Sequence, residues 1–587
     1  MTDEREFRIR PGRVRSSGSQ RVRPFVAQAL AAARKAGGTV SRSGRISPGN
    51  RSRFGRGRTA SIQANRLLTG RSRIVVIKTR VVRHGQRAAP LSAHLNYLRR
   101  EGVTRAATEG SNSEDHEKAR LFGPEVETAD AGDFAGRCAD DRHHFRFIVS
   151  PEDAADLADL KGFARELMGQ MEKDLGTRLD WVGVDHWNTD NPHVHIILRG
   201  RADDGQDLVI ARDYIKEGMR ARAADLVTQE LGPRTDLDIR RDVERQVQAE
   251  RWTRLDRQLL RDGRDGVIDM APSSDRQPDG YHAQKIGRLR KLETLGLATE
   301  VGPGQWVIDD KAEATLRELG ERGDIIKRMH RALTERGIER GSASYVLAGE
   351  HIDTPIIGRL VDRGLDDELK GTAYAVVDGI DGRTHHIKLP DLDAAGDSAP
   401  GSIVELRRFE DAKGERRVAI AVRSDLDINR QITASGATWL DRQNIAREPV
   451  SLSDGGFGAE VSRALSARTE HLVEQGLAER SGQRITFNRN LIDTLRRREV
   501  DALGEKLTAE TGRAFNRAGN GEYVAGTYRQ RLTLASGRFA MLDDGMGFQL
   551  VPWTPSLEKQ LGKHVSGVAR DDGGIDWSFG RKRGLGL

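Results

Sequence analysis

Three histidines stand close together in the segment Asp185-His-Trp-Asn-Thr-Asp-Asn-Pro-His-Val-His-Ile-Ile-Leu-Arg199. His193 and His195 are two apart in a run that reads as a strand, so both side chains point to one face. Val194 and Ile196 point to the other. His186 lies seven residues earlier, across the turn Asn188–Pro192, and a hairpin return would bring it beside the pair. Three neutral imidazoles on adjacent strands can hold one divalent cation and leave coordination positions open. Asp190, in the turn, could orient one imidazole through its second nitrogen. A lone His-x-His is often two polar side chains on a wet face. The third histidine and the Asp-Asn-Pro insert make the metal reading the stronger one.

A second chemical element is His94-Leu-Asn-Tyr-Leu-Arg-Arg-Glu-Gly102. Tyr97 falls on a short predicted helix with Arg99 and Arg100 close behind. A tyrosine taken alone is usually a core or interface residue. This one stands at the end of a long basic stretch, where a phosphate backbone would dock. From Phe7 to Arg100 there is no acidic residue, and the stretch holds more than twenty Lys and Arg, among them Arg51, Arg53, Arg56 and Arg58. Such a block attracts polyanions by counterion release. Charge by itself does not choose among DNA, ribosomal RNA, a membrane surface and a solvated tail.

The elements that must position these residues are legible from pattern. Residues 1–70 mix Arg, Gly and Ser and read as a largely disordered arm, with a short helix at Pro24–Lys35. Arg73–Val82 is rich in β-branched residues and predicts a strand. Ser92–Arg100 predicts a helix, residues 105–138 a polar loop, and His143–Val149 a second strand. Ser150-Pro151-Glu152-Asp153 has the cap, proline and acids of a helix start, and that helix is expected to reach Asp174. Leu179–Trp187 and Pro192–Leu198 read as strands. Leu208–Ala211 reads as a fifth, followed by a helix from Asp213 to Leu231. The fold class is therefore α+β, an antiparallel sheet with helices packed on it.

At 587 residues the chain is expected to hold several domains. No apolar run reaches membrane-spanning length, and the N-terminus lacks a signal-peptide pattern. Cys138, the lone cysteine, has no internal disulfide partner and reads as an inert thiol in a reducing, cytoplasmic setting.

The second half contains a duplication. Arg288-Leu-Arg-Lys-Leu-Glu-Thr-Leu-Gly-Leu-Ala298 aligns with Arg468-Thr-Glu-His-Leu-Val-Glu-Gln-Gly-Leu-Ala478. Each is followed by a short strand-like segment (Gln305–Ile308, Arg484–Phe487) and a helix with Thr-Leu-Arg (Thr315–Arg317, Thr494–Arg496). This order predicts winged-helix-like units, which serve as duplex-DNA or protein-docking modules. Between them, Ala373–Asp378, Arg383–Lys388, Ser402–Phe409 and Arg416–Val422 alternate like strands of a small β-barrel. The expected organisation is an arm at 1–70, a catalytic domain at 71–250, winged-helix-like units at 251–335 and 451–515, and a β-barrel-like domain at 336–450. A β-rich domain with a basic tail closes the chain at 516–587.

Taken together, these segments resemble the relaxases, the DNA-strand transferases of conjugation. Tyr97-Leu-Arg-Arg-Glu-Gly102 looks like the family's first motif and Ile148-Val-Ser150 like its second. His186, His193 and His195 with the Asp-Asn-Pro insert match the third, in the same order. The spacing is closest to the branch of the T-DNA border endonuclease and the IncP-type TraI proteins. The whole chain is similar to the RlxS-like relaxase/mobilisation nuclease group, with its long uncharacterised C-terminal region. Ser536–Ala540 and Phe548–Trp553 fit that likeness. The basic extension before Tyr97, and the missing aromatic after Ser150, depart from the pattern.

The resemblance implies an HUH-type domain that nicks and rejoins one DNA strand at a transfer origin. His186, His193 and His195 would hold Mg2+ or Mn2+, and histidine chemistry would also admit Zn2+. Tyr97 would be the nucleophile, with Ser150 and Asp190 assisting, and Arg99, Arg100 and the arm arginines would contact DNA. Implied partners are single-stranded and duplex origin DNA, a type IV coupling protein and accessory origin-binding proteins, with no membrane. The implied location is the bacterial cytoplasm, with export alongside DNA. The rival readings are a rolling-circle replication initiator with the same chemistry and a non-enzymatic DNA-binding scaffold.

Overall fold

Strand alternation and helix capping together build the region around the histidines. We describe it from a computed structural model, in residues 39–40, 46–47, 71–84, 91–101, 120–187, 191–263, 266–271, 281–347, 355–410, 414, 416–519, 521–570 and 574–578. The helix expected at Pro24–Lys35 and the arginines of the arm lie outside these residues. The chain forms two compact units, residues 1–316 and 317–587.

In the first unit, β1 (Val75–Arg83) is followed by α1 (Leu91–Glu101), α2 (Ala131–Arg137) and β2 (His143–Pro151). Then come α3 (Leu160–Leu175), β3 (Trp181–His186) and β4 (His193–Arg199). The four strands form an antiparallel sheet in the order β1-β2-β4-β3. Period-two alternation gives it two faces. Phe145, Phe147, Val149, Val194, Ile196 and Leu198 pack on one face against α3 and α4 (Met219–Leu231). Burying a side chain such as Phe147 contributes about 2 kcal/mol. On the opposite face, Val182, Val184 and Ile197 pack against Leu95 and Leu98 of α1 and Phe134 of α2.

Four local expectations are corrected. The helix expected to open at Ser150 does not start there. The ladder between β1 and β2 runs on through Ser150 and Pro151, and Glu152 N–H still donates to Ile74 O. Helix α3 instead begins after Asp159, whose carboxylate caps Lys161 N–H. The expected loop 105–138 contains α2, capped by Asp130, with Phe134 buried. Its seven residues are too few for a clear apolar period. Leu208–Ala211 forms no strand of the sheet; Leu208 and Ile210 are buried as core side chains instead. The helix expected from Asp213 begins with a π-turn at Tyr214–Gly218 before α4.

The first unit continues with α5 (Asp236–Gln248), α6 (Arg254–Asp262), β5 (Val267–Asp269), α7 (His282–Thr294), β6 (Ala298–Gly302) and β7 (Gln305–Ile308). The strands order as β5-β7-β6. Helix α8 (Ala312–Thr334) follows.

In the second unit, β8 (Tyr345–Val346), β9 (Ile357–Asp367), β10 (Thr372–Gly379), β11 (Thr384–Leu389), α9 (Leu392–Ala395), β12 (Ile403–Glu410) and β13 (Arg416–Ser424) come first. They form a six-stranded sheet ordered β8-β11-β10-β9-β12-β13. Among the described residues no pairing joins its outer strands. Next are α10 (Ile428–Ile432), α11 (Trp439–Asn444), α12 (Gly456–Glu474), β14 (Ala478–Ser481), β15 (Arg484–Phe487) and α13 (Leu491–Thr511). A second six-stranded sheet closes the chain: β16 (Ala514–Phe515), β17 (Tyr523–Leu534), β18 (Gly537–Asp543), β19 (Gly547–Pro552), β20 (His564–Ala569) and β21 (Ile575–Ser578). Its order, β16-β19-β18-β17-β20-β21, repeats the first. In both sheets the shortest strand pairs parallel and the rest antiparallel.

The duplication is therefore larger than the helix-and-hairpin element, and it extends to buried chemistry. Arg288 and Arg468 are both 0% exposed. Arg288 makes a two-pronged contact with Asp256 at 2.7 and 2.9 Å, and Arg468 repeats it with Asp441 at the same distances. Each aspartate also closes a capping box with Thr253 or Thr438. The remaining guanidinium N–H groups donate to the carbonyls of Val247, Ala249 and Arg251 in one copy, and of Ile432, Ala434 and Gly436 in the other. After each helix, Gly296 and Gly476 turn the chain in the left-handed region at φ 70° and 66°. In the sheets, Asp378 accepts from Arg340 and Arg359, and Asp543 from Arg513 and Arg529.

Candidate functional site

The hairpin β3–β4 sets the histidines. His186 is the last residue of β3 and His193 the first of β4, and they face each other directly across the ladder. His195 is opposite Val184, two positions along on the same face. All three are buried, with His195 at 3% exposure. Their ring centroids are 5.4 Å (His186–His193), 4.6 Å (His186–His195) and 4.9 Å (His193–His195) apart. One ring nitrogen from each lies within 4.8 Å of those of the other two.

Backbone carbonyls fix the ring tautomers. His186 Nε2 lies 3.0 Å from Leu98 O in α1. A carbonyl only accepts, so Nε2 carries the proton and Nδ1 keeps the lone pair. His193 Nδ1 lies 2.9 Å from Asn191 O, which leaves Nε2 with the lone pair, 3.1 Å from His195 Nε2. Burial, reinforced by the neighbouring His193, brings His186 down to about 4 against the weaker opposing pull of the Leu98 bond. Burial, then His186, His193 and His94, holds His195 well below its ordinary range. Imidazoles so placed are neutral at pH 7, the form that ligates metals. The facing nitrogens of His193 and His195, 3.1 Å apart, suit a shared cation, and the carbonyl bonds orient the His186 and His193 rings for one.

Tyr97 is carried on the same face of the sheet. Leu95 and Leu98 of α1 are buried against Val182, Val184 and Ile197, and half-buried Tyr97 packs on that cluster. The residue next to it, Leu98, is the one bonded to His186. Ser150 is on the histidine face too, opposite Val76 of β1, and its Oγ donates to Pro192 O at 3.4 Å. Tyr97, Ser150, His186, His193 and His195 thus lie on one face of the sheet. Arg99 is exposed on α1. Asp190, the Arg100 side chain, and Arg51, Arg53, Arg56 and Arg58 lie outside the described residues.

Sequence reasoning missed further groups on this face. His94, three residues before Tyr97 on α1, is buried, and burial with Arg146 and His144 nearby pushes its pKa well down. Arg146 of β2 is 8% exposed, and its Nε donates to His144 Nε2 at 3.1 Å. His144 Nδ1 is 2.7 Å from His84 Nε2. The signal was present in the alternation of His144, Arg146 and Ile148, which share a face with His195.

Nothing among curated proteins matches this chain. A family model described as "Protein of unknown function (DUF3363)" matches residues 285–413 and 406–586. Those residues span most of the duplicated region and leave out the histidine-bearing sheet. The match extends over half of the chain, which therefore belongs to the DUF3363 family.

Proposed function

We propose that this protein is a relaxase: a metal-dependent strand transferase that nicks and rejoins single-stranded DNA at a transfer origin through Tyr97. The observation that carries the reading is the convergence of three buried histidines, two of them with tautomers fixed by backbone carbonyls, with the Tyr97 helix on one sheet face, joined through the His186–Leu98 bond. On this reading the sheet and its helices are an HUH-type domain, with His193-Val194-His195 as the paired histidines. The two helix-and-hairpin elements are winged-helix units that contact duplex DNA or the secretion coupling protein.

His186, His193 and His195 would hold Mg2+, Mn2+ or Zn2+, which would draw charge from a non-bridging oxygen of the scissile phosphate. The Tyr97 oxygen attacks phosphorus in line. A Tyr97 O–P bond forms, the P–O3′ bond breaks, and the 3′ oxygen leaves with a proton. The phenol gives up its proton to solvent or to a neighbouring base. One phosphodiester replaces another, so rejoining needs no external energy source. Imidazole ligands, unlike carboxylates, add no negative charge of their own, which would leave the cation's charge for the phosphate.

The experiment is incubation of the full chain and Mn2+ with single strands drawn from the DNA flanking its own gene. A protein–DNA adduct that survives boiling and is lost with excess chelator supports the reading. A rolling-circle initiator would act instead at a replication origin, and a scaffold would give binding with no adduct.

A further inference from the structure

The half of the histidine face nearest β1 is open. Lys78 and Arg80 of β1 are exposed there, with Val76 42% exposed beside them. The cross-strand register sets them in rows: Val76 with Ser150, Lys78 with Ile148 and His195, Arg80 with Arg146 and Ile197. Four strands contribute to this face, and none of β1, β2 and β4 contains an acidic residue. The one acid on β3, Asp185, is paired with Val194 on the opposite face.

Arg146 is the anomaly in this field. A buried guanidinium normally meets a carboxylate, as Arg288 and Arg468 do. Arg146 meets an imidazole, His144, and stands directly opposite Arg80 across the ladder. Like charges directly opposite each other on a sheet are destabilising. Burial, with Arg80 adding to it, lowers the Arg146 pKa to about 10. The His84–His144 contact fixes the imidazole that aims its Nε. This is a preorganised cation held away from water, with an anion the natural counterpart.

We propose that Arg146, flanked by Arg80 and Lys78, is a phosphodiester-binding subsite that holds the single strand next to the phosphate at the histidines. The inference rests on the strand-transferase reading and names where the rest of the strand runs: from the histidine end of the sheet diagonally to β1. Arg146 and His195 sit on diagonal positions of neighbouring strands, about 7–8 Å apart by sheet geometry. That is comparable with the spacing of successive phosphates along an extended strand. Val76 and Ile148 offer apolar surface to the sugars between them.

The test is binding of the full-length protein to a fluorescent oligothymidine in chelator, measured across a salt series. Cleavage plays no part in it, so a failed nicking assay and a failed subsite give different results. Arg80→Gln with Lys78→Gln, both exposed and expected to fold normally, should weaken binding and lower the salt slope by about 0.7 for each phosphate no longer neutralised. Arg146→Gln should do the same, and Arg146→Lys should restore the slope but not the full affinity. An unchanged slope in the Lys78/Arg80 double variant overturns the proposal. So does equal loss of binding to a duplex probe, since an open sheet face of this width favours a single strand.

Discussion

Two regions of this molecule bury charged and polar groups, and they do so in opposite ways. In the duplicated region, each buried arginine is fully spent. Arg288 and Arg468 each have an aspartate, three carbonyls and a threonine-capped helix start to satisfy them. On the histidine face, among the described residues, Arg146 donates to an imidazole and to no carboxylate, and three histidines crowd together, with carbonyl bonds leaving the lone pairs of His186 Nδ1 and His193 Nε2 for a ligand. Completed networks of the first kind specify a fold. Incomplete ones of the second kind mark a place where a ligand finishes the network.

The sharpest break in that comparison is at Tyr97. Tyr97→Phe removes one oxygen, and the account expects adduct formation to fall by on the order of 10³-fold or more, with oligonucleotide affinity almost unchanged. Gel analysis of boiled reactions reads this directly. Asp441→Ala, in contrast, leaves the Arg468 charge buried without its partner. Chemical denaturation should show a loss of about 3–5 kcal/mol, and Asp256→Ala a similar one, with no selective effect on the metal site. His195→Ala should cost no more than about 1–2 kcal/mol of stability while abolishing metal binding.

Acid should separate the regions further. The folded-state pKa of His186 is about 4, against an ordinary value of 6.5. Burial likewise takes His144 to about 3, with Arg146 adding to it. For a group whose folded pKa is depressed, the unfolded chain binds the proton first. Stability is therefore fully present above about pH 6.5 and falls as pH drops toward about 4, by up to about 3 kcal/mol for His186 alone. Without metal, thermal melts from about pH 7.5 to about pH 4.5 should show this decline, and it should be smaller in His186→Asn. The smallest effect is expected from exposed Arg99. Arg99→Gln should lower the salt slope of single-strand binding by about 0.7 or less and leave stability unchanged.

The β-hairpin of the site was legible because its chemistry coincides with its pattern. His193-Val-His195 alternates, and its facing strand ends on His186. Helix α1 was equally plain, since Leu95 and Leu98 share an apolar face with Tyr97. The α3 start was misread because Ser150-Pro151-Glu152-Asp153 has every local helix signal, yet pairing with β1 outweighs local propensity. The Leu98 carbonyl under His186 could not be read, because a backbone contact between residues 88 apart leaves no mark in residue type. The duplication was seen through Arg288 and Arg468, but Thr253-Arg-Leu-Asp256 and Thr438-Trp-Leu-Asp441 passed unnoticed. Their shared T-x-L-D spacing sits 35 and 30 residues before the arginines, so an ungapped alignment does not bring both into register. The repeated sheet order was beyond sequence reasoning, since pairing partners are set by topology and not by strand composition.

The most direct measurement is to map the covalent attachment. After reaction with Mn2+ and a single strand carrying the transfer origin, nuclease digestion and peptide mass analysis should place a phosphonucleotide on Tyr97, and His195→Ala should yield none. A phosphonucleotide on another residue, or an unaltered yield in His195→Ala, would contradict a single centre in which three imidazoles and this phenol serve one phosphate.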